Sequence, residues 1–270
     1  MRIKKAEAMT VKHGWRAGIA GPKRLAMAIV DLANPSRFLT VVQPVLPWLA
    51  AISALALVLG ISQSFAAPDD YQQGAAVKIM FLHVPSAWLA MFCWGLMSIA
   101  ALGTLVWRHP LADVAGKAAA PIGAAFTLLC LITGSLWGRP IWGTYWQWGD
   151  ARLTSVFILF LLYLGVIALW RTVEDPSRAG RAAAILTLVG AINLPIIKFS
   201  VDWWNTLHQP ASVFRLGGPT IHPAILIPLL IMACALTLLF FTLHLAAMRN
   251  EILRRRVRTL QIMQAQKTAE

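Results

Sequence analysis

Four tryptophans, Trp137, Trp142, Trp146 and Trp148, fall within twelve residues, with Tyr145 between them. The run reads W-G-R-P-I-W-G-T-Y-W-Q-W-G-D-A-R-L-T from Trp137 to Thr154. Tryptophan favours membrane interfaces, but a plain aromatic belt is spread over all helix ends. Here four indoles share one segment with Gly138, Gly143 and Gly149. Glycine lets the backbone turn and lets a flat ligand approach closely. Indoles offer a wide apolar surface to a planar aromatic molecule. Two histidines come from other segments: His83 in F-L-H-V-P and His208 in D-W-W-N-T-L-H-Q-P. Neutral imidazole is a metal ligand and a standard axial ligand of haem iron. Two segments that each bring a histidine, beside a third rich in tryptophan, suit a planar iron macrocycle held from both faces. Haem also carries two propionates, and Arg139, Arg152 and Arg215 are candidate partners for them. Their competing role is structural, or to snorkel at an interface. Asp150 can orient a ligand, hold a tryptophan N–H or pair with Arg152, and the residues alone leave all three open. His222, beside Pro223, reads as a helix-start residue.

The elements that must position these groups are read from the apolar pattern. Of 270 residues, 58% are hydrophobic and 13% charged, against roughly 25% charged in soluble domains. Mean hydropathy is +0.65. This balance excludes a disordered chain and argues against a soluble enzyme. A membrane-crossing helix needs about 20 mostly apolar residues. Six stretches qualify, at roughly 44–64, 86–107, 118–137, 153–170, 183–200 and 223–247. None alternates as barrel strands do, and backbone groups in lipid must be satisfied within the segment. The expectation is an all-α integral membrane protein with six transmembrane helices. Pro121, Pro195 and Pro228 are tolerated there as candidate kinks.

The net charge of +13 would suggest nucleic acid in a soluble protein, but here its distribution points to the membrane. Nineteen Lys and Arg fall in segments on one side of the six spans, and five fall on the other. By the positive-inside rule both termini are cytoplasmic. The segments at 65–85, 138–152 and 201–222 then face outward, so the tryptophan-rich loop between helices 3 and 4 is periplasmic. The chain divides into a basic cytoplasmic extension (1–43), a six-helix membrane domain (44–247) and a basic cytoplasmic tail (248–270). The extension reads mainly as the positive-inside signal, with a place on the membrane surface as the alternative. The first apolar span begins too late for a cleavable signal peptide and is expected to act as an anchor. Cys93, Cys130 and Cys234 all lie in apolar stretches. An odd number without C-x-x-C predicts neither a disulfide framework nor a zinc site, and without C-x-x-C-H the chain is not itself a c-type cytochrome.

The tryptophan run resembles the WWD signature of haem-handling proteins of cytochrome c biogenesis. The likeness extends to A-P-D-D-Y-Q-Q-G (67–74), L-H-V-P (82–85), N-L-P-I-I-K-F-S-V (193–201) and W-W-N-T-L-H-Q (203–209). Together these resemble the six-span CcmC family over about residues 40–248. The tryptophan run alone also fits the CcmF and CcsBA types, which are longer chains. The resemblance implies that His83 and His208 are axial ligands or contacts of haem iron. It implies that Trp137, Trp142, Trp146, Trp148 and Asp150 contact haem and the haem chaperone CcmE. It also implies haem b as transient cargo, CcmA and CcmB as ABC-type subunits, CcmD as a small partner, and the bacterial inner membrane as the location. One departure stands out. The family run places Asp directly after its last Trp, whereas Gly149 intervenes here.

Other functions fit less well. A transmembrane b-type cytochrome would pair histidines inside helices across a bundle, and His83 and His208 are read here as lying outside the spans on one side. A small-molecule transporter subunit would carry ionisable groups within its spans, and these are nearly free of them. A hydrolytic membrane enzyme would need a motif such as G-x-S-x-G or H-E-x-x-H, neither of which occurs. Asp69 and Asp70, the outer acidic pair, read as turn chemistry. The chain lacks a P-loop, so ATP work would belong to a partner, and a handling role rather than catalysis is expected. Membrane lipid is an expected partner and nucleic acid is not.

Overall fold

The structure is a computed structural model that describes residues 34–269. The sequence expectations for the basic extension before residue 34, including His13, lie outside the described residues. Seven helices follow in order: α1 (Pro35–Ala66), α2 (Met80–Leu105), α3 (Ala112–Trp142), α4 (Ala151–Thr172), α5 (Pro176–Gly190), α6 (Asn193–Trp203) and α7 (Pro223–Ala269). A short 3₁₀ turn, Ala75–Ile79, leads into α2. Among the described residues no strand forms, and Asp70 and Gly74 pair only as an isolated bridge. Six helical segments are long and apolar enough to cross a membrane, α5 and α6 counting as one. The six-span expectation therefore holds, but the ends differ from the apolar windows.

Helix α2 starts at Met80, so His83 is helical rather than part of a loop. Pro85, which suggests a boundary in the sequence, sits inside the helix. Proline is tolerated in membrane helices, and next to it Ser86 Oγ donates back to Leu82 O at 2.6 Å. Helix α3 runs on to Trp142 and stops at Gly143, whose φ of 75° is the left-handed conformation that ends helices at little cost. The fifth span is two helices. The backbone tightens at Ala191, and Asn193 Nδ2 donates to Ser155 O at 2.8 Å, which ties the break to α4. Helix α7 does not end with its apolar stretch but continues to Ala269. Its 47 residues make it about 70 Å long, more than twice a hydrocarbon core.

The sequence supplies the caps. Asn34, Asp150 and Asp175 accept amide hydrogen bonds at the starts of α1, α4 and α5. His222 Nδ1 accepts from Ala224 N at 3.2 Å, the helix-start role read for it. Asp70 Oδ1 accepts from the amides of Gln72 and Gln73, and Asp69 pairs with Lys78 at 3.3 Å, so this acidic pair does serve the turn.

Helices α2 and α3 form the centre. Helices α4, α5 and α7 pack around them, and α1 lies mainly on α7. Trp94 is fully buried, donates from Nε1 to Thr187 O at 3.0 Å, and meets Tyr163 edge-on at 4.7 Å. Tyr163 in turn donates to Ala90 O at 2.7 Å. Each aromatic thus buries its ring while its polar atom is satisfied across a helix pair. Cys93 and Cys130 are buried free thiols and Cys234 is an exposed one, as the absence of a disulfide framework predicts.

One end of the bundle is held by charge. Glu251 of α7 accepts from Lys117 of α3 at 2.7 Å and from Arg255 at 2.9 Å, and Arg255 also pairs with Asp113 of α3 at 2.8 Å. The Glu251 side chain is 8% exposed. Removing it leaves two cations facing each other with no carboxylate between them. Glu251→Ala is expected to cost about 1–3 kcal/mol, below the full cost of breaking a buried pair because both cations keep some solvent. Thermal unfolding of the detergent-solubilised protein checks this, and Glu251→Gln, which keeps an acceptor, should lose less.

Candidate functional site

The opposite end gathers the residues that the sequence singled out. His83 sits in the first turn of α2, against α3. Its Nδ1 lies 3.0 Å from Cys130 O and 3.1 Å from Thr133 Oγ1. A carbonyl only accepts, so Nδ1 carries the proton, and in the neutral ring Nε2 keeps its lone pair. The close approach depends on Gly134, since a Cβ there would stand 2.8 Å from His83 Cε1. Trp137, one turn further along α3, meets the imidazole edge-on at 5.6 Å. Its own Nε1 donates to Gln73 Oε1 at 3.0 Å, which fixes the indole to the segment before α2.

His208 lies on the irregular segment between α6 and α7 and keeps 20% of its side chain exposed. Its ring is 4.8 Å from that of Trp142, the last residue of α3. Its Nδ1 is buried and 3.7 Å from Asp150 Oδ1, beyond hydrogen-bond reach, so the two act on each other through charge. Trp137 and Trp142 both belong to the last turns of α3. Two imidazoles that are distant in sequence therefore share one end of the bundle, each against a tryptophan of α3.

Asp150 organises this end. It is 2% exposed and caps α4: Oδ1 accepts from the amides of Arg152 and Leu153, both at 2.9 Å. Oδ2 accepts from Leu207 N at 2.7 Å, beside His208. Burial pushes this carboxyl up, but the His208 side chain and the amides of Leu153 and Leu207 outweigh it and hold the pKa at about 2. Among the described residues no tryptophan N–H reaches Asp150. Its oxygens face backbone amides, it makes no ion pair with Arg152, and its nearest functional neighbour is His208.

The other predicted residues divide. Trp146 and Trp148 meet at 5.3 Å and pack on Phe157 of α4 at 6.0 and 5.9 Å, away from the Trp137 and Trp142 contacts with histidine. The four indoles thus do not form one stack: Trp146 and Trp148 pair with each other, and Trp137 and Trp142 each meet a different histidine. Trp148 is 69% exposed, whereas Trp146 Nε1 is a buried donor with no hydrogen-bond partner among the described residues. Arg139 donates to Gly143 O at the end of α3, with its guanidinium 5.6 Å from the Tyr145 ring. Arg152 donates from Nε to Ser200 Oγ at 3.0 Å and from an NH2 group to Lys198 O at 3.4 Å, docking α4 on α6. Arg215 is exposed on the segment before α7. Thr133, Gly134, Gln73 and Leu207 are not among the residues the sequence picks out. Thr133, Gly134 and Trp137 share one helical face within the apolar window of α3.

Among the described residues no group of three or more His, Cys, Asp or Glu forms a metal-binding cluster. What the end offers is two histidines, flanking indoles and an unpaired indole N–H, the equipment for a flat ligand with a central metal. Comparison with known proteins agrees in kind. The family model for "Heme exporter protein C" matches residues 28–263. This chain belongs to the heme exporter protein C family. Heme exporter protein C of Bradyrhizobium diazoefficiens is 75% identical over 243 residues, covering 90% of this chain and 92% of that protein. Heme exporter protein C of Escherichia coli K12 is 48% identical over 224 residues, 83% of this chain and 90% of its own length. A ccmC-like mitochondrial protein of cytochrome c biosynthesis from Marchantia polymorpha is 45% identical over 196 residues, 72% of this chain and 81% of that protein. With six spans and relatives of this family, the chain is a multi-pass protein of the bacterial inner membrane.

The Asp150 arrangement has a measurable consequence. Asp150→Ala removes the α4 cap and the Leu207 tether, and is expected to cost about 1–3 kcal/mol. The folded-state pKa lies below the ordinary 3.8, so this stability is full above that value and is lost as pH falls toward about 2. Thermal melts of wild type and Asp150→Ala should differ by a constant amount at neutral and mildly acidic pH. The gap should close only below about pH 4.

Proposed function

We propose that this chain binds haem b as cargo between His83 and His208 and passes it to the haem chaperone CcmE during c-type cytochrome biogenesis. The tryptophan end of the bundle faces the periplasm and the arginine-rich end faces the cytoplasm. CcmA and CcmB supply the ABC-type ATP-dependent part of the export complex, and CcmD completes it. No P-loop occurs in this chain, which fits an ATP site in another subunit. The name of the family supports haem as cargo, and the 19-to-5 split of Lys and Arg supports the orientation.

The observation that carries the reading is the convergence of His83 and His208 at one end, each against a tryptophan of α3, with Nε2 of His83 left for a metal. At His83 the contact with Cys130 O occupies Nδ1. At His208 the Asp150 carboxylate lies on the Nδ1 side. A ring nitrogen turned to a carbonyl or carboxylate while the other binds metal is the usual second layer of a histidine ligand: it fixes the tautomer and raises ligand basicity. Trp137 and Trp142 line the two imidazoles with apolar surface suited to a macrocycle. The buried Trp146 N–H and the exposed Arg215 are donors for propionates. Arg139 and Arg152 already have protein partners and act on the cargo through the loop and helix they hold. The exposed Trp148, Trp203 and Trp204 offer an apolar surface on which CcmE can dock.

The test is the visible spectrum of the protein purified after co-expression with CcmE. Wild type is expected to show a six-coordinate Soret and α/β pattern. His83→Ala and His208→Ala should each lose haem or shift to a five-coordinate spectrum, with CcmE left unloaded. If both variants keep the wild-type spectrum and still load CcmE, the ligand assignment is wrong.

A further inference from the structure

At the arginine-rich end, far from the histidines, the first turn of α1, the turn between α2 and α3, and α7 beyond Ile252 enclose a cavity of about 530 Å³. Its walls are apolar where Pro35, Pro110 and Leu111 line it, and basic where Arg255 and Arg256 do. None of the residues lining it is acidic. Arg256 donates to Ser36 Oγ at 2.7 Å, which sets the pocket at the level where α1 enters its apolar run. That is the headgroup level of a bilayer whose hydrocarbon begins with α1. Arg255 spends part of its fork on Asp113 and Glu251, but one guanidinium NH2 group is buried with no hydrogen-bond partner. Arg256, whose protein acceptor is Ser36, keeps further N–H donors for a ligand in the cavity. The acceptor must be anionic to suit two guanidinium groups. It must also belong to a molecule with an apolar part, because half of the pocket repels water.

We propose that this cavity binds the phosphate headgroup of an anionic phospholipid, with Arg255 and Arg256 on the phosphate and the acyl chains leaving the cavity into the surrounding bilayer. Basic pockets at the membrane-facing ends of helices take such headgroups. Here the pocket spans three separate elements, so a bound lipid also ties the overhanging part of α7 to the start of α1. Arg254 and Arg258, which do not line the cavity, attract the leaflet only in a diffuse way.

The experiment is native mass spectrometry of the full chain released from phosphatidylcholine nanodiscs doped with phosphatidylglycerol. One retained phosphatidylglycerol per chain is expected. Arg256→Gln removes a phosphate partner, and Thr259→Trp fills the cavity from an exposed helix position. Each should lower retention about tenfold. Arg258→Gln, which removes the same charge outside the cavity, should leave retention unchanged. Equal retention of phosphatidylcholine overturns the proposal, because the charge would then play no part. Equal loss in Arg256→Gln and Arg258→Gln overturns it in favour of diffuse attraction. Glycerol 3-phosphate binding as tightly as the lipid also overturns it, since the site would then serve a free phosphate compound.

Discussion

Three backbone amides converge on the carboxylate of Asp150: Arg152 and Leu153 on one oxygen, Leu207 on the other. A carboxylate this deeply buried is expensive unless its charge is compensated, and here backbone dipoles do the compensating. The first turn of α4 offers amides that no helical carbonyl can reach. The segment after α6 offers one more. Because one group satisfies both, the start of α4 and the segment carrying His208 cannot move independently. Everything at this end that comes from beyond α6 is positioned relative to that carboxylate. The chain leaves Trp148 through Gly149 and turns into the capped helix, with Asp150 N donating to Gln147 O at 3.1 Å.

The two ends of the bundle solve opposite problems. At the arginine-rich end α3 and α7 are joined by fixed charges that compensate one another, Lys117 and Arg255 against Asp113 and Glu251. Such a network needs no ligand to be stable, and it suits an end that must keep its shape. At the aromatic end the polar groups are fewer and less complete. Trp146 Nε1 and His208 Nδ1 are buried donors or acceptors left without hydrogen bonds. The large exposed rings there, Trp148, Trp203 and Trp204, are surface that a bilayer interface or a partner can cover. Ion pairs between helices mark one end, and exposed rings with unpaired ring nitrogens mark the other.

Hydrophobic patterning made the six spans legible, because lipid permits little besides a helix over about 20 apolar residues. It misplaced their ends for a physical reason. Helices continue past the hydrocarbon wherever caps and side chains satisfy the backbone, as with α3 to Gly143 and α7 to Ala269. That single error hid much of the site. With α3 stopped at residue 137, Trp142 counts as loop and its place on the helix beside His208 is lost. With α2 started after Pro85, His83 counts as loop. Residue chemistry still picked out both histidines, since only side-chain type was needed. The role of Asp150 was not legible, because its third partner is a backbone amide at Leu207, and nothing in a sequence advertises which distant amide a carboxylate will meet.

The two imidazoles are held by different physics, and the difference follows from where they sit. His83 is carried by a membrane helix, fixed by a carbonyl of α3 and admitted only because residue 134 has no side chain. Displacing it would require α2 to shift against α3, the most extensive packing in the molecule. His208 has no helix beneath it. Its segment is secured by one amide on Asp150, by the contact with Trp142, by Phe214 against Trp88 at 5.1 Å, and by Val213 and Ile221 packed near Phe81 and Leu229. These are few contacts, and they are partly open to solvent, which is the local condition for low resistance to opening. One histidine therefore shares the rigidity of the bundle core and the other the stability of a loop. The carboxylate between them sets how far the second can stray from the first.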